Sequence, residues 1–232
     1  MEKIHASKLL AGLVPAGKLT SDPEVALVTT DSREVKPGCI FVAFPGERFD
    51  GHDFAARALE QFGPLIINDI SAGELDHGMF AVVAAHDAPY IAMHMKGDPK
   101  SMQSLTDYRR DIVTEVVDYL RRRVGEMERA GIRAERIVLD PGFGFAKTAG
   151  QNFELLAGLH RLCAEGYPVL AGLSRKSMIY RTLGTTPDEA LPGTIALGWE
   201  CLRQGASILR VHDVREAVDT VRLFEVFERC RG

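Results

Sequence analysis

The chain has 232 residues and a formal net charge of −4, with 46% hydrophobic and 26% charged residues. That composition excludes a disordered or fibrous chain and suits one large α/β domain or a small domain joined to a medium one. The acidic balance argues against a general nucleic-acid or anionic-membrane binder, while a local basic site for a small anion stays open. Cys39, Cys163, Cys201 and Cys230 are scattered and form no C-x-x-C pair, which favours reduced thiols over disulfides or a metal site. The N-terminal MEKIHASKLLAGL has too short an apolar run for a signal peptide, and no stretch approaches a membrane span of roughly 20 apolar residues. A cytoplasmic protein is expected, with neither nucleic acid nor membrane as a partner.

In chain order, short apolar, β-branched runs predict seven strands: ALVTT (26–30), CIFVAF (39–44), PLIINDI (64–70), PYIAMHM (89–95), RIVLD (136–140), PVLAGLS (168–174) and SILRVHD (207–213). They are continuous runs and not alternating ones, as in strands buried on both faces of a parallel sheet. Helical patterns lie between them. The clearest covers Thr106 to Ala130, with Ile112, Val113, Val116, Val117, Leu120, Val124 and Met127 on one face and Gly131 placed to stop it. Arg121, Arg122 and Arg123 fall on the polar side of that helix and read as a solvated face. A last helix, Val214 to Arg229, follows Asp213 as a possible N-cap and carries Ala217, Val218, Val221, Phe224 and Phe227 on one stripe.

Repeated βα units suggest a partial or rearranged (β/α)8 TIM-like barrel with predominantly parallel strands, in which the strand ends converge on one face. Those ends supply Asn68 and Asp69, His94 and Lys96, Asp140, Ser174 with Arg175 and Lys176, and Arg210 with His212 and Asp213. A carboxylate at the base of a pocket accepts two parallel hydrogen bonds from the N–H pair of a guanine- or pterin-like ring. Arg210 can lie on an aromatic heterocycle or hold an oxyanion, and His212, two residues along one strand, points to the same side. The stretch RIVLDPGFGFAKT (136–148) could be a phosphate cradle, a plain turn or the mouth of an active site. An aspartate leading the loop would repel an anion, so the phosphate reading is the weakest.

IINDISAG, MHMKGDPKSMQ, VLDPGFGFAKT followed by QNFELL, LAGLSRKSMI and ILRVHDV resemble, in order, the strand-end motifs of dihydropteroate synthase, from about Leu65 to the C-terminus. The resemblance implies condensation of 6-hydroxymethyl-7,8-dihydropterin pyrophosphate with p-aminobenzoate in folate biosynthesis, at a sulfonamide target site and with magnesium. It implies that Asn68 and Asp140 bind the pterin, and that Lys176 reaches between the two substrate sites. Arg210 would stack on the pterin and, with His212, contact the pyrophosphate, which makes Lys176, Arg210 and His212 the expected catalytic residues. Phe145 would wall the p-aminobenzoate site and Gly172 would leave room for the ring. Ala146 departs from the glycine usual in that motif.

Residues 1–62 do not show the family's first three βα units, one of which carries magnesium's usual protein ligand. Instead VTTDSREVKPGCIFVAFPGERFDGHDFAARALEQ (28–61) resembles the N-terminal domain of the Mur ligases, which implies Ser32 and the Gly46–Phe49 loop near a UDP group. The ligase P-loop, G-x-x-x-x-G-K-[ST], occurs nowhere in the chain. The expectation is a fusion joined near Gln61 to Pro64: a Mur-like segment over 1–62 and a pterin-binding barrel portion over 63–232. In it CIFVAF and ALVTT would replace barrel strands, with CIFVAF parallel beside LIIND. Such a barrel would have unpaired edges, which invites a homodimer. The alternative expectation is a non-catalytic chimeric pterin- or UDP-binding module.

Overall fold

A computed structural model describes residues 66–97, 101 and 104–231, together with 4–5, 24–25, 27–29, 39–43, 55–56 and 59. Ser32, the Gly46–Phe49 loop and the join at Gln61–Pro64 lie outside the described residues. The chain divides into two compact units, Met1–His94 with Asp118–Leu139, and Met95–Val117 with Asp140–Gly232.

The first unit is built on strands β1 (Ile4–His5), β2 (Glu24–Val25), β3 (Leu27–Thr29), β4 (Cys39–Ala43), β5 (Ile66–Asp69), β6 (Tyr90–Met93) and β7 (Ile137–Asp140), the last of which ends at the first residue of the second unit. β1 and β2 form an antiparallel pair. The other five make one sheet in the order β3-β4-β5-β6-β7. β4 pairs in parallel with β3 and with β5, in the register Leu27↔Cys39 and Phe41↔Ile67, so residues of CIFVAF do lie in parallel beside LIIND. β5 pairs in parallel with β6 through Ile67↔Tyr90. Tyr90, Ile91, Ala92 and Met93 are all buried, as a continuous apolar run requires of a strand covered on both faces.

The turn after β5 shows why one of the expected strand-end groups, Asp69, is structural. Asp69 accepts hydrogen bonds at Oδ1 from the Ser71 amide and hydroxyl, and at Oδ2 from the Gly73 amide and the Tyr90 hydroxyl, all within 2.7 Å. With four donors the carboxylate is spent on holding the turn. Burial, and then the Asp69 charge, push the Tyr90 hydroxyl well above the ordinary tyrosine range, so it stays a donor. His94 is buried with its ring edge-on to Tyr119 at 4.8 Å.

Helix α1 (Met79–Ala85) follows this turn, and α2 (Ile112–Arg129) begins in the second unit and continues in the first. α2 starts later than the sequence pattern suggests because Asp111 caps it, accepting the Thr114 amide at 2.9 Å. All seven apolar residues predicted for its inner face are buried. Gly131, at φ 95°, ends it with bonds from its own amide to Glu128 and from Ile132 to Met127. The arginine run departs from the expected solvated face at one position. Arg121 and Arg122 are exposed, but Arg123 donates from Nε to the Ala72 carbonyl at 2.8 Å and lies 4.9 Å from the Phe80 ring centre. Ala72 has φ 48° and Gly73 φ 79°, and a Cβ on Gly73 would come within 2.6 Å of Phe80. Arg123 thus ties α2 to the β5 turn.

The second unit carries α3 (Ala149–Ala157), α4 (Leu159–Cys163), β8 (Leu170–Ala171), α5 (Ser177–Leu183), α6 (Leu191–Arg203), β9 (Ile208–Leu209) and α7 (Val214–Arg231). Thr148 and Gln151 form a capping box that starts α3. β8 and β9 pair in parallel, Ala171↔Leu209. Trp199 of α6 packs edge-on against Phe224 and Phe227 of α7, at 5.3 and 5.6 Å between ring centres. Ala217 and Val221 are buried, but the predicted stripe is incomplete: Val218 and Phe227 are 38% and 50% exposed. Cys163, Cys201 and Cys230 are free thiols, and burial raises Cys163 to about 11 and Cys201 further.

An ion-pair cluster in the first unit gives a pH test. Hydrogen bonds from Arg136 and then Arg133 lower the Asp87 carboxyl from 3.8 to about 2. A depressed carboxyl stabilises the fold above its unfolded value and loses that contribution as pH falls through the folded one. Asp87→Asn is therefore expected to reduce stability to urea at neutral pH by a small, salt-sensitive amount. The difference from wild type should close between about pH 4 and pH 2, and a difference that does not change with pH would contradict this.

Candidate functional site

Six of the seven residues singled out from sequence belong to the second unit: Asp140, Phe145, Gly172, Lys176, Arg210 and His212. Asn68 belongs to the first, buried in β5 with Ile91 as its register partner in β6.

Asp140 ends β7 with no exposed surface. Its Oδ1 accepts the Gly142 amide at 2.8 Å, and its Oδ2 lies 3.0 Å from Arg210 Nη1. The contact at Oδ2 is an ion pair without an aligned N–H, so this oxygen has no well-directed hydrogen bond. A buried carboxylate left half-satisfied is costly structurally and well suited to a ligand that brings a directed donor. Gly172 makes the approach of Arg210 possible. A Cβ there would stand 2.5 Å from Nη2 and 2.9 Å from Cζ, so only a bare Cα lets the guanidinium lie across the strand end.

The loop after Asp140 is a chain of tight turns. Gly142 and Gly144 have φ 68° and 80°, and Ala146 has φ 50°, which explains why glycine suits that last position and why alanine there is strained. Asn152 closes the loop, accepting the Gly144 amide at 2.7 Å and donating to the Thr148 carbonyl at 2.7 Å. Tyr108 donates to the Ala146 carbonyl at 2.9 Å. The result presents Phe145 to Lys176, whose Nζ lies 4.4 Å from the ring centre. Lys176 precedes α5. Burial lowers its ammonium below the ordinary lysine range, Asp140 opposes that shift and Arg210 adds to it.

Arg210 and His212 are placed differently from expectation. β9 ends at Leu209, so no shared strand directs the two side chains to one side. Arg210 continues the ladder by one bond, from its amide to the Ala171 carbonyl at 3.0 Å. His212 is held by Ser174, whose Oγ lies 2.9 Å from Nδ1 and accepts the His212 amide at 3.2 Å. Beside it, Arg175 donates to both carboxylate oxygens of Asp213 at 3.1 and 2.6 Å, and to Asp188 at 3.1 Å. Asp213, expected as a cap for α7, is engaged by that fork. Lys96, another expected strand-end group, is turned to the Asp107 carbonyl and the Tyr108 ring. Sequence reasoning gave no role to Lys147, which is buried and bonded to the Gly142 and Phe145 carbonyls. A lysine closing a loop with several glycines was the available signal.

The second unit thus supplies one buried carboxylate, two cations, an aromatic wall and a histidine held by Ser174. It can read an N–H pair and balance negative charge beside it. The chain matches the pterin binding enzyme family over residues 52–212 and belongs to that family. The match begins before Leu65, where the motif resemblance starts, and takes in Ala55 and Leu59, which are helical and buried. It is 41% identical to the dihydropteroate synthase of Escherichia coli K12 over 169 residues, 73% of this chain and 59% of that protein. Against the enzyme of Synechocystis it is 41% identical over 175 residues, 75% of this chain and 60% of that one. The chain therefore spans about three fifths of the length of these curated relatives.

Solved structures agree. A Xanthomonas albilineans dihydropteroate synthase with 4-aminobenzoic acid matches at TM-score 0.71 and 34% identity, over 83% of this chain and 67% of that one. The Yersinia pestis enzyme in a sulfonamide drug complex matches at TM-score 0.75 and 31% identity, over 83% and 68%. The fold class is α/β with predominantly parallel strands, that of the (β/α)8 dihydropteroate synthases.

Gly172→Ala tests the arrangement without removing a charge. The added methyl is expected to push the guanidinium away from Asp140 and destabilise the chain by roughly 1–3 kcal/mol, the cost of leaving a buried polar group less well partnered. Denaturant unfolding measures it, and a variant as stable as wild type would show that Arg210 does not depend on the bare Cα.

Proposed function

We propose that the chain is a dihydropteroate synthase-type transferase, whose second-unit cluster takes 6-hydroxymethyl-7,8-dihydropterin pyrophosphate and p-aminobenzoate. The observation that carries this reading is Asp140, wholly buried, with one oxygen fixed by a backbone amide and the other facing a guanidinium that does not donate to it squarely. A pterin edge offers a planar N–H pair of the same kind as a guanidinium fork, in a direction the carboxylate can accept. Arg210 then moves from the carboxylate to the face of the ring.

In the reaction, the C–O bond to pyrophosphate breaks with its electron pair leaving on the phosphate oxygen. The exocyclic carbon so exposed is stabilised by the pterin ring electrons. The p-aminobenzoate nitrogen forms the new C–N bond and then releases a proton. Arg210 and His212 balance the charge growing on the pyrophosphate, Lys176 stands between the two substrates, and Phe145 walls the aminobenzoate. Such catalysis consists of orientation and preorganised charge. The 4-aminobenzoic acid, 7,8-dihydropteroate and sulfonamide present in structures of related enzymes support this substrate class. Among the described residues no three His, Cys, Asp or Glu side chains come together to hold a metal. Magnesium, which the family resemblance implies, would supply positive charge beside the departing pyrophosphate, a hard-cation role that needs few protein ligands.

Two further parts belong to this reading. Residues 1–62 are a Mur ligase N-terminal-like segment whose β3 and β4 substitute for barrel strands, supported by the D-S-R-x-x-x-x-G-x-x-F-V-A pattern and the parallel pairing of β4 with β5. Synthesis is then well below that of a complete enzyme, because the family's substrate-covering loops are not recognisable there. Val214, Leu223, Val226 and Phe227 of α7 are each at least half exposed, which supports a homodimer through that helix. No described helix is long and apolar enough to cross a membrane.

Calorimetry with a pterin analogue tests the assignment. The chain is expected to bind it weakly, and Asp140→Asn to lose at least about tenfold in affinity, the ~1.4 kcal/mol scale of one charge-assisted bond. Equal affinity for both would remove Asp140 from the site.

A further inference from the structure

Lys147 is a buried cation that the proposed reaction leaves unused. Its Nζ donates to two carbonyls of one loop, Gly142 at 2.9 Å and Phe145 at 3.0 Å. The Gly142 carbonyl also receives the Phe145 amide at 3.1 Å, so the ammonium bridges both ends of the turn that carries the aromatic side chain. Keeping an ammonium in that place is unfavourable: burial lowers it to about 7, with Asp140 opposing the shift and Lys176 reinforcing it. An apolar side chain of equal length would avoid that desolvation, so the position needs an explanation other than packing. The nearby fixings do not duplicate it. Asn152 holds Gly144 and Thr148, and Tyr108 holds Ala146, but Phe145 has its carbonyl bound by Lys147.

We infer that Lys147 is a positioning residue for the second substrate: it braces the 142–145 turn so that the Phe145 ring stands against Lys176 and walls the aminobenzoate side of the site. It touches neither substrate in this arrangement and acts through the loop. The inference rests on the assignment of the site to pterin and p-aminobenzoate for its ligand, and on geometry alone for the brace.

The test has an arm for each part. In the wild-type chain, the Phe145 ring 4.4 Å from Lys176 Nζ should shift the Lys176 side-chain proton resonances upfield. Lys147→Met should abolish that shift while leaving the Trp199 indole resonance in place. An unchanged Lys176 shift in Lys147→Met overturns the brace whatever the ligand is. With pyrophosphate present, Lys147→Met should weaken p-aminobenzoate at least about tenfold and change pterin-analogue affinity by less than about threefold. Equal loss for both ligands would mean a general structural role and would overturn the inference. If wild type binds neither ligand, the functional assignment fails while the resonance shift still decides the brace. Should Lys147→Met not fold, the wild-type Lys147 side-chain N–H protons decide: slow exchange with solvent supports the two bonds, and exchange at the rate of exposed lysines overturns them.

Discussion

The second unit depends on one constraint: a carboxylate with no exposed surface must be kept ionic partners by the chain itself. Asp140 obtains one donor from the backbone of its own loop and faces Arg210 on its other side. Several features follow from that need. The turn after Pro141 needs Gly142 at positive φ to bring an amide back onto the carboxylate, and Gly172 must lack a Cβ so that the guanidinium can cross it. Burying a charge with imperfect partners does little for stability, which is the reason to look for its use in binding.

The surrounding loops show how position is passed from one motif to another. Ser174 fixes His212, Arg175 grips Asp213 and Asp188, and Lys176 follows directly and lies on Phe145. Three successive residues beyond β8 thus hold four separate partners. Arg175 adopts φ 54° to do so, a cost of order 1 kcal/mol that its two carboxylate partners offset. The same economy appears in the 140–148 loop, where each of Lys147, Asn152 and Tyr108 secures different backbone groups. A rigid loop of this kind suits orientation catalysis, in which reacting atoms must be held and little proton transfer is asked of the protein.

Each of the seven predicted runs contains an observed strand, and β6 shows the reason, since a strand buried on both faces is a continuous apolar run. The apolar face of α2 was legible for a similar reason, since a period of 3.6 leaves few alternatives. The start of α2 was not, because the cap at Asp111 outweighs a pattern that continues upstream. Strand-end polarity was a mixed guide. Asp69 and Asp140 look alike in sequence, each ending an apolar run, but Asp69 meets three donors inside its own turn and a fourth at Tyr90, and Asp140 has no such set. That difference depends on Tyr90, twenty-one residues away, and no local pattern carries it. Arg123 and Lys147 were missed for the same cause: each serves backbone carbonyls, which sequence does not display.

A structure of the chain with a bound pterin analogue tests the central claim most directly. The N–H pair of the ring is expected to replace the guanidinium at the Asp140 carboxylate, with the Gly142 amide still on Oδ1 and Arg210 on the ring face. A ligand bound elsewhere, with the Arg210–Asp140 pair intact at about its present 3.0 Å, would contradict it.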